Sequence, residues 1–363
     1  MSEDFGGLLQ AFGFHRAACE YLGSPFSARV LAILAEEVAA GGPFADLMCP
    51  WVGPDAAAAL NDAAPLRMLG GLHYLTLSGA DPGLAALYPA RSSGADKAAL
   101  KAELRRAAVD HRAALERFIP SAPQTNEVRR SICLVGGFLT VAARTGLPLR
   151  CLEIGSSAGL NQNWSRYRYR FGEAGAWGDA ASAVAIGTAW AGPPPPLGEA
   201  VVAQTRGCDL RPIDLSDPDQ ALRLEAYVWA DQTDRLERLR AAVAVARDHP
   251  SAIDRAEAAD WVEAHAMPAP GFATVLFHSV VWQYLPGATQ TRIQAAIERA
   301  GQAATPEAPV AWLRMEPDPD SITGPMQIRL TTWPPGEEIL LARAHPHGAE
   351  VAWLNPLGPD AVK

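Results

Sequence analysis

One short segment near the middle of the chain constrains the fold more than any other part of the sequence. Residues 149–154, Leu-Arg-Cys-Leu-Glu-Ile, have the length and apolar content of a buried strand, and Gly155 and Gly159 follow directly. Gly155 permits a sharp turn, and Gly159 permits the backbone to approach a ligand closely. Because open α/β sheets bind ligands at the carboxyl ends of their strands, the segment predicts a ligand site at the edge of such a sheet.

Strand and helix patterns alternate from residue 126 onward. The predicted strands are 149–154, 201–208, 252–256, 272–278, 310–315, 326–332, 338–344 and 350–354, and the predicted helices are 126–144, 218–229, 234–248 and 289–300. This alternation predicts a mainly parallel sheet with both faces covered, and the last strands, joined by short Pro/Gly turns, predict an antiparallel C-terminal edge. We therefore predict a Rossmann-like α/β domain over residues 126–363.

The N-terminal third has a different pattern. Its apolar residues fall at helical spacing, with Gly and Pro at the joints, and the predicted helices include 55–63, 65–78 and 95–118. The chain has 363 residues, more than one hydrophobic core usually organises. Residues 1–120 are therefore predicted to form an all-helical lid or substrate domain.

Composition excludes several classes of function. The net charge is -9 and the pI is about 5.4, which weighs against nucleic acid as a partner. The acidic N-terminus lacks the features of a signal peptide and no apolar run is long enough to span a bilayer, so we expect a cytoplasmic protein without a membrane partner. Its five cysteines show no CxxC spacing, so we expect neither a disulfide framework nor a metal site. The motifs of P-loop NTPases and zincins are absent from the sequence.

The acidic residue before the two glycines points to the kind of ligand. A pyrophosphate would meet helix N-terminal N–H groups with no negative charge nearby. Glu153 places a carboxyl group there instead, which suits a cationic or zwitterionic ligand. The plain alternative for the glycine pair is a structural tight turn without a ligand.

Glu153, Gly155 and Gly159 match motif I of the class I S-adenosylmethionine-dependent methyltransferases. In that motif one residue separates an acidic residue from a first glycine, and three residues separate the first glycine from a second. Residues from about 126 to 355 resemble that superfamily, and the whole chain resembles an uncharacterised bacterial family with such a domain behind a helical N-terminal region. The resemblance implies that the loop, including Ser156, wraps the amino-acid part of S-adenosylmethionine.

The same resemblance implies roles for residues at later strand ends. Asp209 takes the ribose position, Glu257 and Asp260 take the adenine side, and His278 ends strand four, where catalytic or substrate-binding groups lie. Asp209 follows Gly159 by 209 − 159 = 50 residues. This is more than the usual spacing of about 20, so a Pro-rich insertion must loop out between them. The alternative for Asp209 is an aspartate that only caps a helix or stabilises a turn. The alternative for Glu257 and Asp260 is that each is an acidic residue at the start of a helix.

Polar and aromatic residues beyond the loop are candidates for binding the substrate. Asn161, Trp164 and Arg166 follow the glycines, and Arg130 lies on the helix before the first strand. The alternatives are an amphipathic surface helix for the first three and a surface ion pair for Arg130. His278 is a candidate to orient the acceptor or take its proton, the alternative being a histidine hydrogen-bonded beneath the loop.

These features favour methyl transfer from S-adenosylmethionine to a small-molecule acceptor. One alternative is a non-catalytic sensor or scaffold that binds S-adenosylmethionine or a nucleotide on the same fold. An NAD-type oxidoreductase is less favoured, because the pattern is ExGxxxG and not GxGxxG. The pattern specifies neither the acceptor nor the oligomeric state.

Overall fold

The structure is a computed structural model that describes residues 4–53, 55–89, 96–318, 321 and 324–354. The chain divides into two compact units. The helical unit comprises Met1–Thr125 and Ser216–Arg240, and the sheet unit comprises Asn126–Leu215 and Ala241–Lys363. Residues 216–240, which the sequence pattern assigns to the α/β domain, thus group with the N-terminal helices.

The helices are α1 (Gly6–Tyr21), α2 (Pro25–Ala39), α3 (Pro43–Met48), α4 (Ala56–Asn61), α5 (Ala64–Leu77), α6 (Pro82–Ala85), α7 (Lys97–Asp110), α8 (Arg112–Phe118), α9 (Ser131–Thr145), α10 (Pro218–Ala226), α11 (Thr233–Asp248), α12 (Ala258–His265) and α13 (Gly287–Gln302). The strands are β1 (Leu149–Ile154), β2 (Arg168–Arg170), β3 (Ala176–Trp177), β4 (Ala185–Gly187), β5 (Ala189–Ala191), β6 (Val202–Asp209), β7 (Ala252–Arg255), β8 (Ala273–Ser279), β9 (Val310–Pro317), β10 (Met326–Trp333), β11 (Glu337–Ala344) and β12 (Glu350–Trp353). Among the described residues, no helix is long and apolar enough to cross a membrane.

Contacts within the helical unit explain why its second stretch belongs there. Gly70 leaves room on α5 for the Tyr227 ring, since a Cβ at Gly70 would lie 2.8 Å from Tyr227 Cδ1. Asp231 accepts a hydrogen bond from the backbone N–H of Phe26 at 2.8 Å and another from the Ser24 hydroxyl, so it caps the start of α2. Up to residue 125, the described residues form only helices and turns.

Within the described parts of the chain, nine strands form the main sheet, in the order β5-β12-β11-β10-β9-β8-β1-β6-β7. Strands β7, β6, β1, β8 and β9 are all parallel to their neighbours within this group. The chain runs outward from β1 through β6 to β7 and then returns to the other side of β1 at β8, so the topological switch point lies between β1 and β8. The predicted α/β class with a mostly parallel sheet is confirmed.

The far side of the sheet differs from the prediction in one respect. The pairs β9–β10, β10–β11 and β11–β12 are antiparallel, as expected. The edge strand, however, is β5, which pairs parallel to β12. It comes from the Pro-rich insertion, and its length of three residues gave no readable alternation. The insertion also supplies β2, β3 and β4, which form a separate three-stranded sheet.

The two faces of the sheet carry different helices, and this decides where the site residues point. Phe277 packs edge-on against Phe138 of α9, with ring centroids 5.0 Å apart. On the opposite face, Leu276 belongs to the apolar cluster that includes Ile293 and Ile297 of α13. Glu153 pairs in register with Phe277, so Glu153 points to the α9 face and His278 points to the α13 face.

Candidate functional site

The turn after β1 is held to its neighbouring strand by its own backbone. Gly155, Ser157 and Gly159 have φ of +69°, +54° and +70°. The N–H of Ser156 donates to Cys208 O at 3.0 Å, and the N–H of Gly159 donates to Ser156 O at 2.7 Å. The loop is therefore a fixed left-handed turn, which favours glycine at two of its positions.

Protein side chains fill the space beside both glycines. A Cβ on Gly155 would lie 2.5 Å from Val281 Cγ2, and a Cβ on Gly159 would lie 2.8 Å from Ile253 Cδ1. The sequence analysis expects Gly159 to make room for a ligand. In the structure, the absent side chain at Gly159 makes room for Ile253 of β7.

Glu153 lies deep beneath this loop, with 3% of its surface exposed. Burial raises its pKa to about 8, although hydrogen bonding from the Ser156 and Gln162 side chains acts in the opposite direction. Its Oε2 is buried and has no hydrogen-bond partner within the described parts of the chain. At pH 7 the side chain is therefore mainly the neutral acid, and not the carboxylate that the sequence analysis assumes.

Gln162 and Gly207, which the sequence analysis did not select, lie beside Glu153. Gln162 Nε2 donates to Ser156 Oγ at 3.2 Å, and Ser156 Oγ donates to the Glu153 carbonyl oxygen at 3.1 Å. Gly207 of β6 lies against this pair, and a Cβ there would collide with both polar side chains. The sequence held a signal for this contact, because Gly207 lies inside a predicted strand and a glycine there often marks the close approach of another group.

Asp209 lies at the carboxyl end of β6, beside the turn of residues 155–159 that follows β1. We call this turn the glycine loop. Its Oδ2 accepts a hydrogen bond from Ser157 N and its Oδ1 accepts one from Arg211 N, both at 2.8 Å. The aspartate thus fixes the loop.

The two acids expected on the adenine side join α12 to α13. Glu257 caps α12, because its side chain accepts from Asp260 N at 3.0 Å, and it also accepts from Thr289 Oγ1 at 2.9 Å. Asp260 pairs with Arg292 of α13 at 2.6 Å. The Glu257 cap matches the helix-start alternative stated for that residue, and Asp260 lies in the first turn of α12.

The predicted substrate-binding residues are scattered. Trp164 is fully buried and stacks on Phe138 at 4.3 Å, so it belongs to the core. Asn161 is buried as well, with its amide 3.5 Å from the Glu127 carbonyl oxygen, whereas Arg166 is exposed. Arg130 donates from Nε to the carbonyl oxygen of Pro346 at 3.0 Å. The glycine loop therefore does not gather these four side chains into one pocket wall.

His278 is fully buried and pairs with Glu316, which the sequence analysis did not select. Glu316 Oε1 lies 2.6 Å from His278 Nδ1 and 3.1 Å from Val281 N. Because a carboxylate only accepts hydrogen bonds, this geometry assigns the proton to Nδ1 and leaves Nε2 with a lone pair when the ring is neutral. Nε2 has no partner among the described residues.

A cavity of about 640 Å³ opens beside this pair on the α13 face of the sheet. Its volume lies in the range of small-molecule sites. The lining residues come from β8 to β11, from α13 and from the turn after β8, and include Trp282, Trp312, Trp333, Arg314, Arg329, Glu338, Glu298, Gln294, Gln327 and Thr331. We call it the tryptophan cavity.

The predicted site residues thus form two groups. Glu153, Ser156 and Asp209 surround the glycine loop on β1 and β6. His278 lies on the other face of the sheet and lines the tryptophan cavity. Val281 joins the groups, since its side chain contacts the Gly155 position and its N–H donates to Glu316.

Comparison with protein families identifies the chain over nearly its full length. Residues 10–353 match the family described as "uncharacterized protein conserved in bacteria (DUF2332)", and the chain belongs to that family. No curated protein and no solved structure gave a significant match.

Proposed function

We propose that the protein transfers a methyl group from S-adenosylmethionine to a small-molecule acceptor, with the cofactor at the loop that follows β1 and the acceptor on the His278 side. The observation that carries this proposal is the position of both groups at the topological switch point. In open α/β sheets this is where ligands bind. Val281 brings the two groups together there, through its contacts with Gly155 and Glu316.

The residues of the loop have the chemistry that the cofactor requires. Glu153 offers a buried Oε2 with no partner among the described residues, which suits an ammonium group. Asp209 lies beside the loop at the carboxyl end of β6, where it accepts a hydrogen bond from Ser157 N, and a carboxyl oxygen is the kind of acceptor that ribose hydroxyls require. When bound, S-adenosylmethionine supplies an electrophilic methyl group on a sulfonium.

Pairing with an ammonium group changes the protonation of Glu153. Its pKa of about 8 means that the unliganded side chain holds a proton at neutral pH. A positive charge in contact favours the carboxylate form, so Glu153 loses that proton on binding. Burial then strengthens the resulting ion pair, because little water screens it.

His278 acts on the acceptor. Its Nε2 lone pair takes the proton from the acceptor's nucleophilic atom, and Glu316 stabilises the imidazolium that forms. Nε2 is buried and the Trp282 ring stacks on the imidazole with centroids 5.3 Å apart. An acceptor therefore reaches Nε2 only when a neighbouring side chain moves, and Trp282 lies in the short turn directly after β8.

Calorimetric titration of the full chain with S-adenosylmethionine, S-adenosylhomocysteine and NAD tests the proposal. We expect both sulfur ligands to bind at one site and NAD not to bind. Glu153→Gln should weaken both at least tenfold, since a charge-assisted contact contributes about 1.5–3 kcal/mol. Glu337→Gln, at an exposed position on β11, is the matched control and should bind normally. Binding of NAD alone, or of neither sulfur ligand, would overturn the proposal.

A further inference from the structure

The tryptophan cavity has polar atoms that the described protein leaves without partners. His278 Nε2, Glu316 Oε2, Trp312 Nε1 and Arg314 Nε are all buried, and none has a hydrogen-bond partner within the described residues. All four residues line the cavity. Because a buried polar group without a hydrogen-bond partner is destabilising, four of them around one cavity indicate a place where a ligand completes the hydrogen bonding.

The chemistry of these atoms defines the ligand. His278 Nε2 and Glu316 Oε2 are acceptors, so they require a ligand hydroxyl or N–H. Trp312 Nε1 and Arg314 Nε are donors, so they require a ligand oxygen or another acceptor. The ligand therefore presents a hydrogen-bond donor to His278 and Glu316. It presents a hydrogen-bond acceptor to Trp312 and Arg314, and we call the part of the cavity around Arg314 and Arg329 the arginine side.

The walls of the cavity favour a flat ring. Trp282 and Trp312 meet edge-on at 5.5 Å, and the Arg314 guanidinium lies over the Trp312 ring at 4.0 Å. Trp333 adds a third aromatic side chain to the lining. Aromatic and guanidinium faces stack well on a planar molecule.

At one side of the cavity two guanidinium groups already hold a carboxylate, and Glu298 and Glu316 are also in the lining. Arg314 and Arg329 both pair with Glu338, the second pair at 2.7 Å, so the three side chains carry one net positive charge. Burial acts to raise the pKa of Glu338, but the two arginines outweigh it and hold that pKa below its usual value. The glutamate is thus a carboxylate, and its side chain remains 42% exposed.

We propose that the tryptophan cavity is a binding site for a flat aromatic carboxylate that also carries a hydroxyl group. The ring lies among the tryptophans, and the hydroxyl hydrogen-bonds to His278 Nε2 once the Trp282 ring moves off the imidazole. The ligand carboxylate replaces that of Glu338 at the two arginines. Glu338 lies near the start of β11 and is half in solvent, so it can turn outward. This site shares His278 Nε2 with the acceptor position of the proposed function, but it uses no residue of the glycine loop, so its binding can be tested without S-adenosylmethionine.

Binding of 4-hydroxybenzoate to the full chain, followed by ligand-observed NMR and calorimetry, tests the site. Phenol lacks the carboxylate, benzoate lacks the hydroxyl, and 4-hydroxycyclohexanecarboxylate lacks the flat ring. We expect each to bind at least fivefold more weakly than 4-hydroxybenzoate. Equal binding of all four compounds, or no binding of 4-hydroxybenzoate, would overturn the proposal.

Variants then locate the binding. Arg329→Ala should weaken 4-hydroxybenzoate at least tenfold and leave phenol unchanged, whereas Arg343→Ala, an exposed arginine on β11 outside the lining, should change neither. Glu338→Gln should tighten 4-hydroxybenzoate at least threefold, because the competing carboxylate is removed. This gain cannot arise from a damaged fold. Weaker or unchanged binding in folded Glu338→Gln would contradict the exchange of carboxylates.

Discussion

Val281 occupies the space that a side chain on Gly155 would need, since a Cβ there would lie 2.5 Å from Val281 Cγ2. The same residue donates its N–H to Glu316, which holds His278. A single residue after β8 therefore couples the turn after β1 to the histidine on the opposite face of the sheet. Changes at Gly155 should reach His278 through this contact.

Gly155→Ala should destabilise the protein more than Gly146→Ala. Both glycines have left-handed backbones, with φ of +69° and +63°, so each substitution carries a conformational cost of about 1 kcal/mol. At Gly146 an added Cβ meets no atom within 4 Å in the described structure, whereas at Gly155 it collides with Val281. We expect an additional 1–3 kcal/mol, of the order seen for overpacking. Urea unfolding measures the free energy of unfolding of each variant. Equal decreases in the two variants would mean that the Val281 side chain moves aside without cost.

Glu153 should make stability depend on pH. Burial raises its folded pKa to about 8, above its ordinary value of 4.5, so the folded protein keeps a proton that the unfolded chain has lost. Stability should therefore fall as pH rises between these values, by as much as a few kcal/mol, at about 1.4 kcal/mol per pKa unit. Glu153→Gln has no proton to lose and should flatten this part of the profile.

Urea unfolding at pH 5, 6.5 and 8 compares the two proteins, with Glu337→Gln as the exposed control. The control should follow the wild type. Parallel profiles for Glu153→Gln and the wild type would mean that Glu153 ionises normally in the folded chain.

His278 should carry its proton on Nδ1 whenever the ring is neutral. Glu316 Oε1 accepts from this nitrogen at 2.6 Å, which fixes the tautomer. Nitrogen-15 NMR of the histidine side chains at alkaline pH distinguishes the two forms. Glu316→Ala should lose the preference, and a wild-type ring protonated on Nε2 would contradict the assigned hydrogen bond.

Much of the sheet unit was predictable because its strands are long and regular. Strand β1 has the predicted bounds, and Leu149–Ile154 pairs on both sides, as a continuous apolar run suggests. The short strands β2 to β5 have two or three residues each, too few for any periodicity to appear. The grouping of residues 216–240 with the helical unit depends on packing such as that of Tyr227 on Gly70, which sequence spacing does not contain.

The site was predictable only in part, because strand pairing brings distant residues together. Glu316 lies 38 positions after His278, and the two meet because β8 and β9 pair in parallel. A signal was present: Trp312, Arg314 and Glu316 alternate along β9 and so share one face. The face to which His278 points was not predictable without the register of β8, and that register separates it from Glu153.

The most direct test of the proposed cofactor site is the proton released when S-adenosylhomocysteine binds. At pH 6.5 the unliganded Glu153 is almost fully protonated, given its pKa of about 8, and the ligand's ammonium group is charged. Calorimetry in two buffers of different ionisation enthalpy should give close to one proton released per ligand, and Glu153→Gln should release none and bind more weakly. Binding without proton release, with equal affinity in wild type and Glu153→Gln, would contradict the assignment of Glu153 to the cofactor's ammonium group.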